Sequence, residues 1–351
     1  MAVKDPEKKD AATDTGNVAL EPSPAAPGES APAAPRRFDA VTLWQNVGPF
    51  AVFVALFVVI AVLQPEFVGG GGLAILAVQA TSVLLVALGQ AMVLHVGSID
   101  LSNAAIAIFA AIMLALTLGP LGAGAIVVVL VIAALVGAVN GWIVAYTQVP
   151  SFALTLGTLG ILTAASLVLS DATTVYATSN SELLAPLFGS AILFLPTAFW
   201  VAMIAAAVLW FLLRRTAVGQ GLTAVGLNES GANFAGFRTR WLKVLAFALS
   251  GLLAGIAGIM IIAQAGAASS FGLGSDLLLP GIAAAIVGGT AITGGRTNPL
   301  NVIFGALTMT LIPIGAAILG VPPQAQSLVY GLVIIVAVAL TMSRAHGQIV
   351  K

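Results

Sequence analysis

The chain has 351 residues, of which 60% are hydrophobic and only 7% are charged, and its mean hydropathy is +1.09. These values exclude an ordinary soluble domain and predict an all-α, polytopic membrane protein, because backbone groups in lipid must be paired within helices. Cysteine is absent from the sequence, which excludes disulfides and thiolate metal sites. The formal net charge is zero, and we expect no nucleic-acid partner.

The first 45 residues are the long polar segment of the chain. Residues 1–39 carry seven acids and five bases, and the stretch EPSPAAPGESAPAAPRR is dominated by Ala and Pro. Such a composition cannot bury a core, so we expect a disordered, solvated tail to residue 45, and we assign it no role. It has no apolar h-region, which argues against a cleavable signal peptide.

Apolar runs alternate with short breaks from residue 46 to residue 343, and a short polar tail, 344–351, follows. At about 20 residues per crossing, this length accommodates about ten transmembrane helices. We predict spans near residues 46–64, 73–96, 101–118, 122–146, 151–170, 191–213, 243–264, 277–292, 300–319 and 326–343.

Basic residues set the predicted orientation, because Lys and Arg accumulate in cytoplasmic loops. With ten spans, all eight bases beyond the tail fall on one side, and four acids fall in loops of the other side. Both termini then face the cytoplasm, whereas nine or eleven spans would scatter the bases. The bases are Arg214, Arg215, Arg238, Arg240, Lys243, Arg296, Arg344 and Lys351, and the acids are Glu66, Asp171, Glu182 and Asp276.

Residues 214–241 form a polar, glycine-dotted segment between two apolar runs. Its interior predicts a short helix around Ser230–Phe237, with Asn228 as the N-cap and Glu229 in the first turn, where the helix dipole favours an anion. A helix displayed on the cytoplasmic face suits a contact with a partner. A long solvated connector is the alternative, and the pattern alone leaves both open.

Polar side chains inside the spans are the candidates for a solute pathway. Asp100 lies at a membrane break, where an acid is costly unless it caps a helix or is paired, so capping and direct substrate contact both stay open. Gln79 and Gln90 share one face of the second span, where they could line a pathway or bond to neighbouring helices. The candidate set is Gln79, Gln90, Asp100, Asn103, Asn140, Phe152 and Thr155.

Other distinctive residues have simpler interpretations. His95 points away from the arc of polar residues and suggests packing, and two histidines in the chain cannot build a metal site. We expect neither a metal nor a cofactor. Gly251 and Gly255 share one face of the seventh span and indicate close helix packing. Arg296 is expected to touch either lipid headgroups or a partner protein.

The segment AVGLNESGANFAGF (224–237) resembles the cytoplasmic coupling loop of the sugar-type ABC transporter permeases, the importers of ribose, xylose and arabinose. That loop has the pattern G-x-N-x-x-A-A-x-x-S-G-I. Gly226, Asn228, Ala232 and Gly236 match the pattern in this sequence, and three other positions differ from it.

Further segments resemble motifs of the same family in the same order, so the resemblance covers roughly residues 46–343. Departures occur at Ser98, where the family has glycine, and at Asn103-Ala104, where it has Val-Gly; both adjoin the acid of the break. The matching segments are VGSIDLS (96–102), VPSFALTLGTLG (149–160), SGLLAGIAGIM (250–260) and AAAIVGGTAITGGR (283–296).

The resemblance implies a non-catalytic subunit with the type II-like ABC importer permease fold, in the bacterial cytoplasmic (inner) membrane. It implies a homodimer docked to cytoplasmic ABC ATPase subunits, with an extracytoplasmic sugar-binding protein that delivers substrate. The sequence has no G-x-x-x-x-G-K-[ST] phosphate loop, so ATP would be hydrolysed by the partner subunits. The residues expected to couple to the ATPase are Gly226, Asn228, Glu229, Ala232 and Gly236.

The expected substrate is an uncharged sugar or related polyol. The spans offer amides, hydroxyls and aromatic edges but no Lys or Arg near mid-depth, and an unpaired ion there costs at least about 2.5–3.5 kcal/mol. The alternative function is an ion-coupled secondary transporter of a small neutral solute, which would bury ionisable residues as relays. An intramembrane enzyme is disfavoured, because no nucleophile and base are placed on facing spans.

Overall fold

The computed structural model describes residues 40–270 and 275–322, and beyond them residues 325, 328, 329, 331, 332 and 335. The predicted tail up to residue 39, most of the last predicted span and the segment 344–351 therefore lie outside the described residues. The first helix begins at Ala40, ahead of the predicted tail boundary at residue 45.

The described residues are mostly helical. The helices are α1 (Ala40–Leu63), α2 (Gly70–His95), α3 (Asn103–Leu121), α4 (Gly124–Thr147), α5 (Ser151–Leu169), α6 (Ala185–Gly189), α7 (Thr197–Arg215), α8 (Ala217–Leu227), α9 (Glu229–Phe234), α10 (Thr239–Ala265), α11 (Leu278–Val287) and α12 (Pro299–Ile318). Four two-residue strands join them, β1 (Val175–Tyr176), β2 (Ala191–Ile192), β3 (Leu195–Pro196) and β4 (Ala267–Ala268). β1 pairs with β4 and β2 with β3, both antiparallel.

Seven helices within the described part of the chain are long and apolar enough to cross a membrane, namely α2, α3, α4, α5, α7, α10 and α12. The structure thus supports a multi-pass membrane protein but does not establish the predicted count of ten. In α1 the described apolar part, Val47–Leu63, is just short of that length.

Two predicted spans differ from the structure for local reasons. The span expected at 277–292 contains the ten-residue helix α11, which is about 15 Å long and cannot cross a bilayer by itself. It ends where Gly289 takes a left-handed conformation (φ 85°). The span expected at 191–213 begins only at Thr197, because residues 191–196 form a hairpin of β2 and β3.

α10 is the central helix, packed against α2, α3 and α4. In the most apolar 18-residue segment of α10, 72% of the residues are buried inside the protein, compared with 17% in the corresponding segment of α5. Glycines permit the closest approach: a Cβ on Gly251 would overlap the carbonyl oxygen of Ala133, and a Cβ on Gly137 would overlap that of Phe247. The interpretation of Gly251 as a packing residue is confirmed.

The two ends of the helix bundle differ in charge. Within the described part of the chain, every Lys and Arg (Arg214, Arg215, Arg238, Arg240, Lys243 and Arg296) lies at the end where α7 leads into α8 and α9 into α10. The turn before Arg296 reaches this end, because the amide nitrogen of Gly295 donates to the carbonyl of His95. The other end carries both strand pairs and the acids Asp171 and Glu182.

Candidate functional site

The segment between α7 and α10 folds into two short helices at the basic end. Asn228 caps α9 by accepting a hydrogen bond from the Gly231 amide at 2.9 Å. This confirms the predicted short helix and its cap, although α9 ends at Phe234. The preceding helix α8 was not predicted, because its glycines have low helix propensity. Packing accounts for them: a Cβ on Gly219 would overlap backbone atoms of α7.

The exposed side of this segment forms what we name the coupling face: Leu227, Asn228, Glu229, Phe234 and Gly236, all exposed to solvent. Phe234 is 92% exposed and Leu227 is 66% exposed. Exposed apolar groups of this size beside polar ones are typical of a protein contact surface. The structure thus places three of the expected coupling residues on one surface, together with the exposed Leu227 and Phe234, which no periodic pattern in the sequence indicated.

The other two expected coupling residues lie beneath the coupling face. Ala232 is 4% exposed, on the inner side of α9. Gly226 contacts the carbonyl oxygen of His95 and the amide nitrogen of Gly295, where no side chain fits. Thr223 Oγ1 lies 3.1 Å from His95 Nε2. Gly226 and Thr223, both partly exposed, therefore join α8 to the end of α2.

A groove of about 900 Å³ lies beside the coupling face, between α9 and the end of α4. Its walls include charged and aromatic side chains, and the guanidinium carbon of Arg240 lies 5.0 Å from the centre of the Tyr146 ring. Lys243 Nζ forms an ion pair with Glu229 Oε2 at 2.6 Å. The residues lining the groove are Ala145, Tyr146, Gln148, Glu229, Ser230, Asn233, Arg238, Thr239, Arg240 and Trp241.

A second cluster surrounds the break between α2 and α3, which we name the polar break, residues 96–103. Asp100 is fully buried, and both of its carboxylate oxygens accept hydrogen bonds. Oδ1 accepts from the amide (2.9 Å) and hydroxyl (2.6 Å) of Ser102, and Oδ2 accepts from the hydroxyl of Ser250 at 3.1 Å. Asp100 thus fixes the turn before α3 and ties it to α10.

The donors around Asp100 are themselves hydrogen-bonded. Asn103 Nδ2 donates to Ser250 Oγ at 2.6 Å, and Asn140 Nδ2 donates to Ser102 Oγ at 3.0 Å. Asn140 Oδ1 in turn accepts from Thr158 Oγ1 at 2.8 Å. The polar break is therefore tied to α4, α5 and α10 by a continuous network that ends on one carboxylate.

Backbone amides of the break are held by α5. The Leu101 amide donates to Thr155 Oγ1 at 3.0 Å, and the Ile99 amide donates to Ser151 Oγ at 2.9 Å. An irregular backbone packed inside a protein requires such partners, because buried polar groups cannot bond to water. Ser102, Ser151, Thr158 and Ser250 were missed as site residues, although each lies in a segment that resembles a family motif.

The remaining pathway candidates lie outside this network. Gln90 is buried, and its Nε2 has no hydrogen-bond partner, whereas Gln79 is exposed near the start of α2. Phe152 is 54% exposed on α5. The structure therefore brings together Asp100, Asn103, Asn140 and Thr155 but not the two glutamines or Phe152. Among the described residues no cluster of His, Asp or Glu could hold a metal ion.

A bundle of long apolar helices with an exposed polar segment at one end is the architecture of a multi-pass membrane protein. Residues 72–338 match the family model described as "Branched-chain amino acid transport system / permease component". The chain belongs to this family of ABC transporter permeases, whose members are non-catalytic membrane subunits.

Relatives of similar sequence include sugar permeases. The chain is 34% identical to the D-allose transport system permease protein AlsC of Escherichia coli (strain K12), over 86% of this chain and 93% of that one. It is 29% identical to the ribose import permease protein RbsC of Haemophilus influenzae, over 84% and 94%. Identity to the L-arabinose ABC transporter permease protein AraH of Azospirillum brasilense is 28%, over 94% and 98%. No solved structure matches the chain significantly.

Proposed function

We propose that this chain is the membrane-spanning subunit of an ATP-driven importer for a neutral sugar or related polyol. The observation that carries the proposal is the coupling face, an exposed partly apolar surface at the basic end of a permease that has no phosphate loop of its own. Such a subunit must receive its energy through a contact with separate ATPase subunits. A second permease copy and an extracytoplasmic binding protein complete the proposed assembly.

The coupling face would transmit ATPase movement along a short path. α9 is joined to α8 through Asn228, and α8 meets the end of α2 through Thr223 and Gly226. His95 is followed directly by the polar break. A displacement of α9 would therefore be transmitted to the break between α2 and α3 through protein contacts alone.

Asp100 acts in this proposal as a positioning residue. Its burial and its bonds to Ser102 and Ser250 support a role in the geometry of the break over direct contact with substrate, although Ser102 and not Asp100 is the N-cap of α3. The network holds α3, α4, α5 and α10 around the break, so that movement of the end of α2 is passed to several helices at once.

The bilayer orientation follows from the charge of the two ends. We propose that the basic end faces the cytoplasm, with ten crossings and both termini inside, in the bacterial inner membrane. One of the crossings would consist of α11 and the irregular segment after it, which reaches the basic end at Gly295.

Cysteine labelling tests this orientation, because the chain has no native cysteine. A Phe234→Cys variant should react with an impermeant thiol reagent only in inverted membranes, and a Thr178→Cys variant only from outside intact cells. Gly226→Cys is unsuitable, because a side chain there would overlap the His95 carbonyl. Labelling of Phe234→Cys from outside would refute the orientation.

The substrate class rests on neutral polar groups and on relatives whose names specify allose, ribose and arabinose. The description of the family model names branched-chain amino acids instead. Uptake of labelled sugars, polyols and branched-chain amino acids by cells carrying the complete transport system distinguishes these. We expect uptake of a neutral sugar or polyol, and transport of amino acids alone would refute the substrate class.

Purification of the tagged protein from its native membrane tests the transporter class. We expect co-purification of an ATPase that contains a phosphate loop. The alternative, an ion-coupled transporter of a neutral solute, predicts that the protein alone moves solute in liposomes under an ion gradient. Solute movement of that kind, without an ATPase partner, would refute the proposal.

A further inference from the structure

The hairpin between α6 and α7 has an apolar tip that is exposed to solvent. Its strands pair Ala191 with Pro196 and Ile192 with Leu195, which leaves a two-residue loop. That loop consists of Leu193, 74% exposed, and Phe194, 80% exposed. Two large apolar side chains therefore occupy the most prominent position of the hairpin, at the end of the molecule opposite the coupling face.

The backbone of the tip is unfavourable for these residue types. Leu193 has a φ of 50° and Phe194 a φ of 67°, both in the left-handed region. Two-residue hairpin loops with positive φ are normally Asn-Gly or Asp-Gly, because bulky side chains are strained there. Backbone strain of this kind persists only where the surroundings hold it, and two exposed large apolar side chains are unfavourable in water.

The hairpin lies on the exposed side of α7. The indole Nε1 of Trp200 donates to the carbonyl oxygen of Ile192 at 3.0 Å. Trp200 is on the same face of α7 as Ile204, Val208 and Phe211, which are 57–61% exposed. That exposed apolar face of a membrane-spanning helix is a surface for lipid, and the hairpin tip continues it beyond the end of the helix.

The chemistry around the tip also suits the bilayer boundary. The sequence has no charged residue between Glu182 and Arg214. The Trp200 indole, which donates to the Ile192 carbonyl, lies beside the tip. Tryptophan is enriched at the membrane–water interface.

We propose that Leu193 and Phe194 insert into the lipid leaflet at the end opposite the coupling face, so that the hairpin anchors the outer end of α7 in the bilayer. The partner is lipid, and the anchor is independent of the transported substrate. A second copy of the chain and a binding protein are the competing occupants.

Spin labels on single cysteines measure the depth of the tip in liposomes that contain the purified permease alone. Labels at Leu193→Cys and Phe194→Cys should collide severalfold more with oxygen, which partitions into lipid, than with a water-soluble nickel complex. Ile204→Cys is the control for lipid, and Thr178→Cys, exposed at the same end, is the control for water.

Each other result overturns the proposal. Free collision with nickel at both tip positions, as at Thr178→Cys, would place the tip in water. Protection from both reagents would place it against a second copy. Nickel access that is lost only when binding protein is added would assign the tip to that protein.

A second variant separates the apolar side chains from the hairpin that carries them. Combined Leu193→Asn and Phe194→Gly substitutions suit the turn and retain the strand pair. A reporter label at Ile192→Cys should then collide severalfold more with nickel than the same label does when Leu193 and Phe194 are unchanged, because the tip no longer inserts into lipid. No change in the Ile192→Cys signal would show that Leu193 and Phe194 do not anchor the hairpin.

Discussion

The coupling face and the polar break lie near the same end of the molecule and are built in opposite ways. At the polar break, Asp100 is fully buried and both carboxylate oxygens are bonded to neighbouring elements. On the coupling face, Phe234 is 92% exposed on a helix of six residues. The buried network holds several helices in one arrangement, whereas the exposed helix offers a surface that can bind a partner protein.

The difference implies that stability and transport respond separately to substitution. Changes in the buried region should lower the free energy of unfolding, because they leave polar groups unpaired or force helices apart. Changes on the coupling face should leave the isolated protein intact and reduce only what requires the ATPase.

The largest effect on stability is expected for Gly251→Leu, at the contact of α10 with α4. The new side chain would overlap the carbonyl of Ala133, and the helices cannot separate without losing their packing. We expect a loss of more than about 3 kcal/mol and little folded protein, because overpacking a core already costs about 1–3 kcal/mol. The measurement is size-exclusion recovery after detergent extraction and heating.

Gly157→Leu is the matched control for that substitution, because α5 has open space at this glycine. It should be recovered at the level of the unmodified protein. Equal recovery of both variants would mean that the seam between α4 and α10 is not closely packed.

A smaller loss of stability is expected for Asp100→Asn. The amide keeps the shape of the carboxylate. Its NH₂ group would, however, replace a carboxylate oxygen that accepts a hydrogen bond from the hydroxyl of Ser102 or Ser250, so that two donors would face each other. Leaving one buried polar group unpaired costs about 1–3 kcal/mol. Thermal unfolding in detergent measures this loss, with the exposed Asp171→Asn as control; equal melting of the two variants would contradict the role of Asp100.

The smallest effect is expected for Lys243→Ala. This substitution removes the ion pair with Glu229, at the surface of the protein, where the Lys243 side chain is 15% and the Glu229 side chain 46% exposed. Exposed ion pairs contribute about 0–1 kcal/mol, and less at high salt. Thermal unfolding should therefore shift little, and a loss as large as that of Asp100→Asn would show that the coupling face is part of the stable core.

The sequence predicted the class of multi-pass helical membrane protein, the capped helix α9 and most of the long helices, because these depend on local hydropathy and capping. It did not predict α8, since its glycines oppose a helix until α7 and α2 pack against them. The sequence also did not predict that Gly226 packs against the end of α2. The contact of Gly226 with His95 joins residues far apart in sequence, and a local pattern carries no information about such a contact.

The site residues were predicted in part. Hydropathy identified Asp100 and Asn140 as polar residues within apolar runs, but it could not show that they are in one network. Ser102 and Ser250 complete that network, and serine is common enough in membrane helices to give no signal by itself. Gln90 and Asp100 gave similar signals in the sequence, yet only Asp100 is bonded in the network.

ATP-driven uptake by Phe234→Ala tests most directly whether the coupling face receives energy from the ATPase. The assay is performed in proteoliposomes that contain the permease with the proposed ATPase and binding protein, and the exposed Ile204→Ala on α7 is the matched truncation. We predict an uptake loss of about tenfold or more, since an aromatic anchor at an interface contributes about 2 kcal/mol or more. Uptake by Phe234→Ala equal to that by Ile204→Ala, at equal protein incorporation, would contradict the account.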